Sequence, residues 1–310
     1  MTLFPPEAPV PSDARGASIA LGNFDGVHRG HRAVLDFARS AAQARGLALG
    51  AAVFEPHPRR FFHPDAPPFR LQSRAQRARA LGEAGAVHVY EIGFDEALSQ
   101  LSDAAFAEQV LVRRLGAAHV SVGAHFRFGR GRMGDVASLK ALGAKHGFEV
   151  AALPELTDPA GVKISSTAIR AVVAQGEIEV ATHMLGRAWA VEGVVERGFQ
   201  RGRGLGFATA NVRLGDYQRP KLGVYAIRAH LGDGNWRPGV ASIGVNPTFT
   251  DVPEPLLEAH LFDFDADLYG RMIEVQLIAC LRAEAKFDTT EALAAQIAAD
   301  AAQARAILSA

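Results

Sequence analysis

The chain has 310 residues, of which 48% are hydrophobic and 21% charged, as in an ordinary globular protein. Lysine plus arginine and aspartate plus glutamate each total 33, so the formal net charge is zero, which disfavours a general nucleic-acid binder. The single cysteine, Cys280, excludes an intrachain disulfide, and the sequence has neither a signal-peptide pattern nor a membrane-spanning apolar run. We therefore expect a cytoplasmic protein without nucleic-acid or membrane partners, and the oligomeric state stays open.

The length predicts about two domains, and the first half shows a regular pattern. Residues 1–15 contain several prolines and predict a loose lead-in. Strands are then predicted from apolar runs that alternate with helical patterns, at residues 17–21, 47–54, 87–92, 119–122 and 148–153. This alternation predicts an α/β domain with a parallel sheet, whose ligands bind beyond the carboxyl ends of the strands.

The first of these strands leads into a turn and a helix. This turn, residues 22–31, reads Gly-Asn-Phe-Asp-Gly-Val-His-Arg-Gly-His. Unpaired backbone N–H groups and the helix dipole attract phosphate at such a position, where His28 and His31 can donate hydrogen bonds. A surface histidine pair or a half-built metal site is the alternative. The candidate binding residues beside the histidines are Gly22, Asn23, Phe24 and Asp25.

Further candidates follow later strands. His57 lies between two prolines after the second strand, in a segment that either is a rigid loop or belongs to a site. After the fourth strand, residues 122–132 combine arginines, glycines and aromatics, in which His125 and Arg127 either contact a phosphorylated ring or form a solvated loop.

A group of hydroxyl residues precedes the last helical pattern of this half. A helix is predicted to begin near Thr167, and an ordinary N-cap explains one of the three hydroxyls. Three hydroxyls followed one turn later by an arginine also suit an anion, which makes candidates of Ser165, Ser166, Thr167 and Arg170.

The composition changes after the helical pattern that ends near Arg187. Short alternating runs follow at residues 191–196, 224–229, 237–243, 257–262 and 273–281, with a helix only from about 289. They predict an antiparallel barrel with a C-terminal helix. The predicted domains are therefore residues 1–185 and 186–310.

The second domain has its own polar candidates. A loop with Gly202, Gly204 and Gly206 precedes Thr209 and Asn211, whose side-chain oxygens suit a hard cation such as Mg²⁺. Turn glycines of a barrel are the alternative. Glu258, an acid flanked by strand residues, is either an exposed strand charge or a group that accepts a hydroxyl proton.

These strings resemble, in order, the motifs of bacterial bifunctional riboflavin kinase/FAD synthetases. The similar segments are His-x-Gly-His preceded by Asn-Phe-Asp, Phe-x-Pro-His-Pro, Phe-x-Phe-Gly, Ser-Ser-Thr-x-Ile-Arg, Gly-Phe-x-Thr-Ala-Asn, residues 242–249 and 257–270, and residues 282–287. The resemblance implies a Rossmann-like FMN adenylyltransferase domain followed by a β-barrel riboflavin kinase domain. It also implies that His57 lies in the adenylyltransferase site, that Glu258 is the kinase base and that Arg282 lies beside the flavin.

The implied substrates and products are riboflavin, FMN, FAD and ATP, with Mg²⁺ as cofactor. The chain departs from the family pattern at His125, Ala168 and Ala208, which stand where the family has an Asp or Asn, a frequent arginine and a proline. Two alternatives to the bifunctional enzyme stay open. The three departures leave open a flavin-binding regulator with one inactive site, and the His-x-Gly-His motif leaves open a nucleotidylyltransferase that acts on another phosphate ester.

Overall fold

The computed structural model describes residues 1–197, 209–245 and 255–309. Its contacts divide the chain into two compact units. The first contains Met1–Ala66 and Arg74–Ser165, and the second contains Pro67–Ser73 and Ser166–Ala310. The helical residues between Ser166 and residue 185 thus group with the second unit, whereas the sequence predicts a boundary at 185.

The first unit is built on a six-stranded parallel sheet with the order β1-β4-β3-β2-β5-β6. Its strands are β1 Thr2–Phe4, β2 Ser18–Leu21, β3 Leu49–Glu55, β4 His88–Gly93, β5 His119–Gly123 and β6 Glu149–Leu153. The five predicted strands are confirmed. The prediction of a loose lead-in over residues 1–15 is wrong at its start, because β1 pairs with β4 at the edge of the sheet. Three residues are too few to show a periodicity, so only the tertiary pairing reveals this strand.

Helices cover both faces of this sheet. Within β2, Ile19 and Leu21 pack into one apolar cluster while Ala20 packs into another, as expected for a strand buried on both faces. The helices are α1 Arg29–Arg45, α2 Pro58–Phe62, α3 Arg74–Glu83, α4 Glu96–Ser99, α5 Asp103–Phe106 with a following π-helix Ala107–Arg114, and α6 Val136–His146.

The order of the strands reverses beside β2. The chain passes from β2 to β3 and β4 on one side and then returns to β5 on the other. Open α/β sheets bind ligands at such a switch point, beyond the carboxyl ends of the strands. The turn after β2 and the loop after β5 both lie there.

The second unit contains a six-stranded antiparallel sheet with the order β7-β12-β9-β10-β11-β8. A bridge between Glu196 and Asn211 joins the ends of β7 and β8, so the sheet nearly closes into a barrel. The strands are β7 Trp189–Val194, β8 Ala210–Arg213, β9 Gly223–His230, β10 Trp236–Val245, β11 Pro255–Leu261 and β12 Met272–Ala283. The predicted barrel is confirmed, although the sequence analysis missed the four-residue β8.

Among its described residues, the second unit contains the helices α7 Ser166–Gln175, α8 Ile178–Leu185 and α9 Thr290–Ser309. The predicted C-terminal helix is α9, which buries Ala304 and Leu308 against Val224 of β9 and Val240 of β10. None of the helices in the described part of the chain is long and apolar enough to cross a membrane.

Candidate active sites

The turn after β2 has an unusual backbone. Phe24 and Val27 are buried non-glycine residues with positive φ angles of 52° and 37°, and Gly26 between them has a φ of 91°. Such conformations cost free energy and persist where the surrounding structure enforces them, often at functional sites. The buried carboxylate of Asp25 lies within this turn.

The turn ends at two stacked imidazoles. His28 is the N-cap of α1, and its Nδ1 accepts the backbone N–H of His31 at 3.2 Å. The rings of His28 and His31 stack with centroids 3.6 Å apart. Because Nδ1 is an acceptor, the neutral His28 ring carries its proton on Nε2, which is the atom that can donate to a ligand.

Gly30, between the two histidines, is closely surrounded. A Cβ on Gly30 would lie 3.2 Å from the His28 ring and 3.4 Å from the Ile164 carbonyl oxygen. The absence of a side chain therefore lets the segment that leads to Ser165 approach the start of α1. This approach joins two segments of the first unit that are far apart in sequence.

His57 is held in the same way as His28. It is the buried N-cap of α2, and its Nδ1 accepts the backbone N–H of Arg59 at 3.0 Å. The neutral His57 ring consequently also carries its proton on Nε2. This hydrogen bond fixes the orientation of the His57 ring.

A pocket of about 720 Å³ lies at the carboxyl ends of these strands. It brings together five sequence-predicted residues from three separate loops, namely Gly22, Asn23, His57, His125 and Arg127. The volume is within the range of small-molecule sites.

The lining of this pocket is largely aromatic, and its members Phe62, Phe94 and Phe106 lie outside the motifs named from the sequence. Six phenylalanines form much of it, and Arg59, Arg130 and Arg132 add positive charge. The rings of Phe54 and Phe94 meet edge to face at 5.8 Å, and those of Phe126 and Phe128 stack at 5.7 Å. The aromatic residues are Phe54, Phe62, Phe94, Phe106, Phe126 and Phe128. The chain contains 18 phenylalanines, but only the fold shows which of them converge.

His125, the residue that departs from the family pattern, is 77% exposed at its side chain. Its Nε2 lies 3.4 Å from Oε1 of Glu155, which also pairs with Lys163. Arg127 lies beside Asp135, with 3.6 Å between Nη1 and Oδ2. Backbone hydrogen bonding to Ser138 at the start of α6, together with the nearby guanidinium, lowers the pKa of Asp135.

The hydroxyl motif lies at the start of α7. Ser165 is the last residue of the first unit, and the helix begins at Ser166, one residue before the predicted start. Thr167 is exposed. Arg170 donates from Nε to the Phe69 carbonyl oxygen at 2.7 Å, and its guanidinium lies over the Phe69 ring.

Strand register brings together the polar candidates of the barrel. Glu258 of β11 is paired directly with Asn211 of β8 on one side and with Ser242 of β10 on the other. Residues paired in this way point to the same face of a sheet, so the carboxylate and the Asn211 amide share a face. Thr209 immediately precedes β8. The predicted residues Gly202, Gly204 and Gly206 lie outside the described part of the chain.

Arg282 has a structural partner that the sequence analysis missed. Its guanidinium forms a forked ion pair with the buried Asp300 of α9, with Nε at 3.0 Å from both carboxylate oxygens. It also lies over the Phe287 ring. The arginine therefore links β12 to the C-terminal helix.

Comparison with known proteins agrees with this two-part architecture. A family model described as FAD synthetase matches residues 10–168, and one described as riboflavin kinase matches residues 185–308. The chain belongs to the bifunctional riboflavin kinase/FMN adenylyltransferase family.

Similar proteins extend over nearly the whole chain. The bifunctional riboflavin kinase/FMN adenylyltransferase of Pseudomonas fluorescens is 41% identical, with 94% of this chain and 93% of the relative covered. The enzyme of the same name from Escherichia coli strain K12 is 40% identical, with 94% and 92% covered. A crystal structure described as a macrolide-efflux protein from Streptococcus pneumoniae has a TM-score of 0.85 at 28% identity and covers 96% of each chain.

Proposed function

We propose that this chain catalyses two consecutive reactions, the phosphorylation of riboflavin by ATP to give FMN and the adenylylation of FMN by a second ATP to give FAD and pyrophosphate. We assign adenylylation to residues 1–185 and phosphorylation to residues 186–310. Both activities are those named for the relatives that cover nearly the whole chain.

The pocket of the first unit is the observation that carries the adenylylation. Its phenylalanines suit a planar aromatic ring system, and the arginines among its lining residues suit a phosphate. A flavin mononucleotide combines these two features. We assign the flavin to this pocket, with Asn23, His57, His125 and Arg127 among its contacts.

Adenylylation requires no general base, because the FMN phosphate is already ionised. Its oxygen attacks the α-phosphorus of ATP, one P–O bond forms, and the bond to pyrophosphate breaks. The site must stabilise the negative charge that develops on the phosphoryl oxygens. We assign this role to the Nε2–H group of His28 and to the imidazole of His31 at the start of α1. We assign ATP phosphate binding to Ser165, Ser166, Thr167 and Arg170.

Phosphorylation of riboflavin does require a base. As the 5′-hydroxyl oxygen attacks the γ-phosphorus of ATP, its proton must be accepted, and we assign this task to Glu258. Asn211 is paired with Glu258 in the strand register, and Thr209 directly precedes the same strand. Their side-chain oxygens fit Mg²⁺ bound together with ATP phosphates. The ion would neutralise phosphate charge during transfer.

A product time course tests this proposal. The protein is incubated with riboflavin and Mg-ATP, and the flavins are separated by chromatography. FMN is expected first and FAD next. Accumulation of FMN without FAD, or flavin binding without turnover, would identify a protein with an inactive site. Failure to adenylylate FMN, together with transfer to another phosphate ester, would support the second alternative.

A further inference from the structure

Four charged side chains form a cluster between α3 and the strands β3 and β4, in which three side chains are largely buried and that of Arg74 is 48% exposed. This charge cluster consists of Glu55, Arg74, Arg77 and Glu91. Arg77 and Glu91 are each only 1% exposed. Arg74 donates from Nε to the two Glu91 carboxylate oxygens at 2.7 and 2.9 Å, and Arg77 lies 3.4 Å from Glu91 through Nη2. Hydrogen bonding to Glu91 raises the pKa of Arg74.

Stability alone is a weak explanation for such a cluster. Burying charges costs desolvation energy that their mutual attraction only about repays, so apolar residues of the same volume often stabilise a core equally well. The two positive and two negative charges neutralise one another. A cluster of this kind can instead fix the geometry of the segments that it joins.

Arg77 holds the end of β3. Its Nη2 donates to the Glu55 carboxylate at 2.7 Å, and its Nη1 lies 3.3 Å from the Phe54 carbonyl oxygen. One planar guanidinium thus contacts the backbone of one residue and the side chain of the next. A lysine at this position could not make both contacts, because its ammonium lacks the fork of donors.

The segment that Arg77 holds leads directly into the pocket. Phe54 and His57 both line it, and they lie on either side of Glu55 and Pro56. The Glu55 carbonyl oxygen also accepts the Phe94 backbone N–H at 3.0 Å, which ties the same point to β4. His57 is then fixed by its own N-cap hydrogen bond.

We propose that Arg77 is a positioning residue for FMN adenylylation, which acts by holding the Phe54–His57 segment so that His57 lies correctly in the flavin pocket. This inference rests on the proposed role of His57. Arg77 contacts no ligand in this scheme, and its effect is transmitted through the end of β3. A misplacement of about 1 Å that originates away from the reacting atoms can cost about 100-fold in rate, so the positioning has a measurable consequence.

The test compares two substitutions in the full chain, Arg77→Lys and Arg74→Lys. Both residues pair with Glu91, and Arg77 in addition contacts the Phe54 carbonyl oxygen and the Glu55 carboxylate. We expect Arg77→Lys to lower kcat for FMN adenylylation by about 10-fold to 100-fold, with the KM for ATP changed by less than about 2-fold. Arg74→Lys is expected to retain adenylylation, and both variants are expected to retain riboflavin phosphorylation.

A double-mutant cycle with His57→Ala separates positioning from a general structural effect. If Arg77 acts through His57, Arg77→Lys causes no further loss of adenylylation in the His57→Ala background. The same fractional loss in both backgrounds, a wild-type rate for Arg77→Lys alone, or an equal loss of both activities would overturn the proposal. An unchanged rate for His57→Ala alone would instead show that the proposed role of His57 is wrong.

Glu55→Gln provides a second variant if Arg77→Lys does not fold. It preserves the shape of the side chain, removes the nearer of the two carboxylate charges beside Arg77 and leaves the charge of Glu91 in place. A folded Glu55→Gln protein is expected to adenylylate FMN more slowly while phosphorylating riboflavin at the normal rate. Normal adenylylation by this folded variant would overturn the proposal.

Discussion

The two candidate sites are assembled by different means. In the first unit the polar residues come from loops after β2, β3 and β5, and they meet because those strands end at one edge of a parallel sheet. In the second unit Glu258, Asn211 and Ser242 meet because neighbouring strands pair in a particular register. The first arrangement depends on turn geometry and caps, and the second depends on strand pairing.

This difference indicates where each site is vulnerable. A loop site requires additional groups to hold each loop, such as the N-cap histidines and the charge cluster under β3. A register site requires no such groups, because slipping by one residue would move every apolar side chain of the strand to the wrong face. Substitutions that affect one site without affecting the other test this comparison.

The largest effect is expected for Glu258→Gln. Glutamine preserves the shape of the side chain and its place between β8 and β10 but cannot accept the hydroxyl proton. We expect riboflavin phosphorylation to fall by about 10² to 10⁴. Conversion of added FMN to FAD should continue, as measured by chromatography of both flavins.

A suitable control for Glu258→Gln is Ser242→Ala, which alters the neighbour of Glu258 in the register without removing the acid. This control is expected to phosphorylate riboflavin far faster than Glu258→Gln. Wild-type kinase rates in Glu258→Gln would show that another group accepts the proton.

The next largest effect is expected for His28→Ala. The substitution removes a hydrogen-bond donor that strengthens as charge develops, so turnover should fall more than ATP binding. By comparison with the removal of one donor from a preorganised anion site, the expected loss is about 10² to 10³ in adenylylation rate. FMN should accumulate in a time course that starts from riboflavin. A wild-type rate of FAD formation would contradict the role of His28, and a simultaneous loss of kinase activity would contradict the independence of the two sites.

The elements that could be predicted from the sequence are those with a clear apolar periodicity or a specific motif. Five strands of the parallel sheet and most of the barrel follow from runs of apolar residues. The turn from β2 into α1 follows from a specific string of residues. By contrast, β1 and β8 are too short to produce a pattern, and the phenylalanines of the pocket converge only in three dimensions.

Arg282 illustrates what local motifs omit. The motif that contains Arg282 resembles a family segment that lies beside the flavin. Its partner Asp300 lies 18 residues later in a helix and belongs to no recognisable motif. The same limit applies to Arg77, whose partners Glu55 and Glu91 come from two strands. Long-range pairing of charges depends on how elements pack, which a single sequence does not display.

Asp300→Asn tests whether Arg282 acts on the flavin directly. Breaking a buried ion pair leaves a charge unpaired, so we expect a loss of about 3 kcal/mol in unfolding free energy, at the low end because Arg282 still reaches water. Both tryptophans of the chain, Trp189 and Trp236, lie in the second unit, so denaturant unfolding followed by their fluorescence reports this loss.

Kinetics of the folded Asp300→Asn and Arg282→Ala proteins complete this test. If Arg282 contacts riboflavin, Arg282→Ala should raise the KM for riboflavin more than Asp300→Asn does. Equal changes in the two variants would mean that Arg282 mainly anchors α9.

The smallest expected effect is a pH dependence of the stability. It originates at the amino ends of the strands in the first unit, away from either site. His119 is buried at the start of β5, where its Nδ1 lies 2.9 Å from the Ser18 hydroxyl oxygen. Burial, followed by the nearby positive charge of Arg45, lowers the pKa of His119 below its usual 6.5. The unfolded chain therefore binds the proton more readily than the folded one. The stability contributed by neutral His119 is present above pH 6.5 and is lost as the pH falls towards the lower, folded-state pKa.

Thermal unfolding followed by far-ultraviolet circular dichroism should show a larger decrease in Tm between pH 7.5 and pH 5.5 for the wild type than for His119→Gln, which cannot titrate. His88, whose pKa is also lowered by burial, is present in both proteins and cancels in this difference. An identical decrease in the two proteins would show that His119 is not a source of the acid sensitivity.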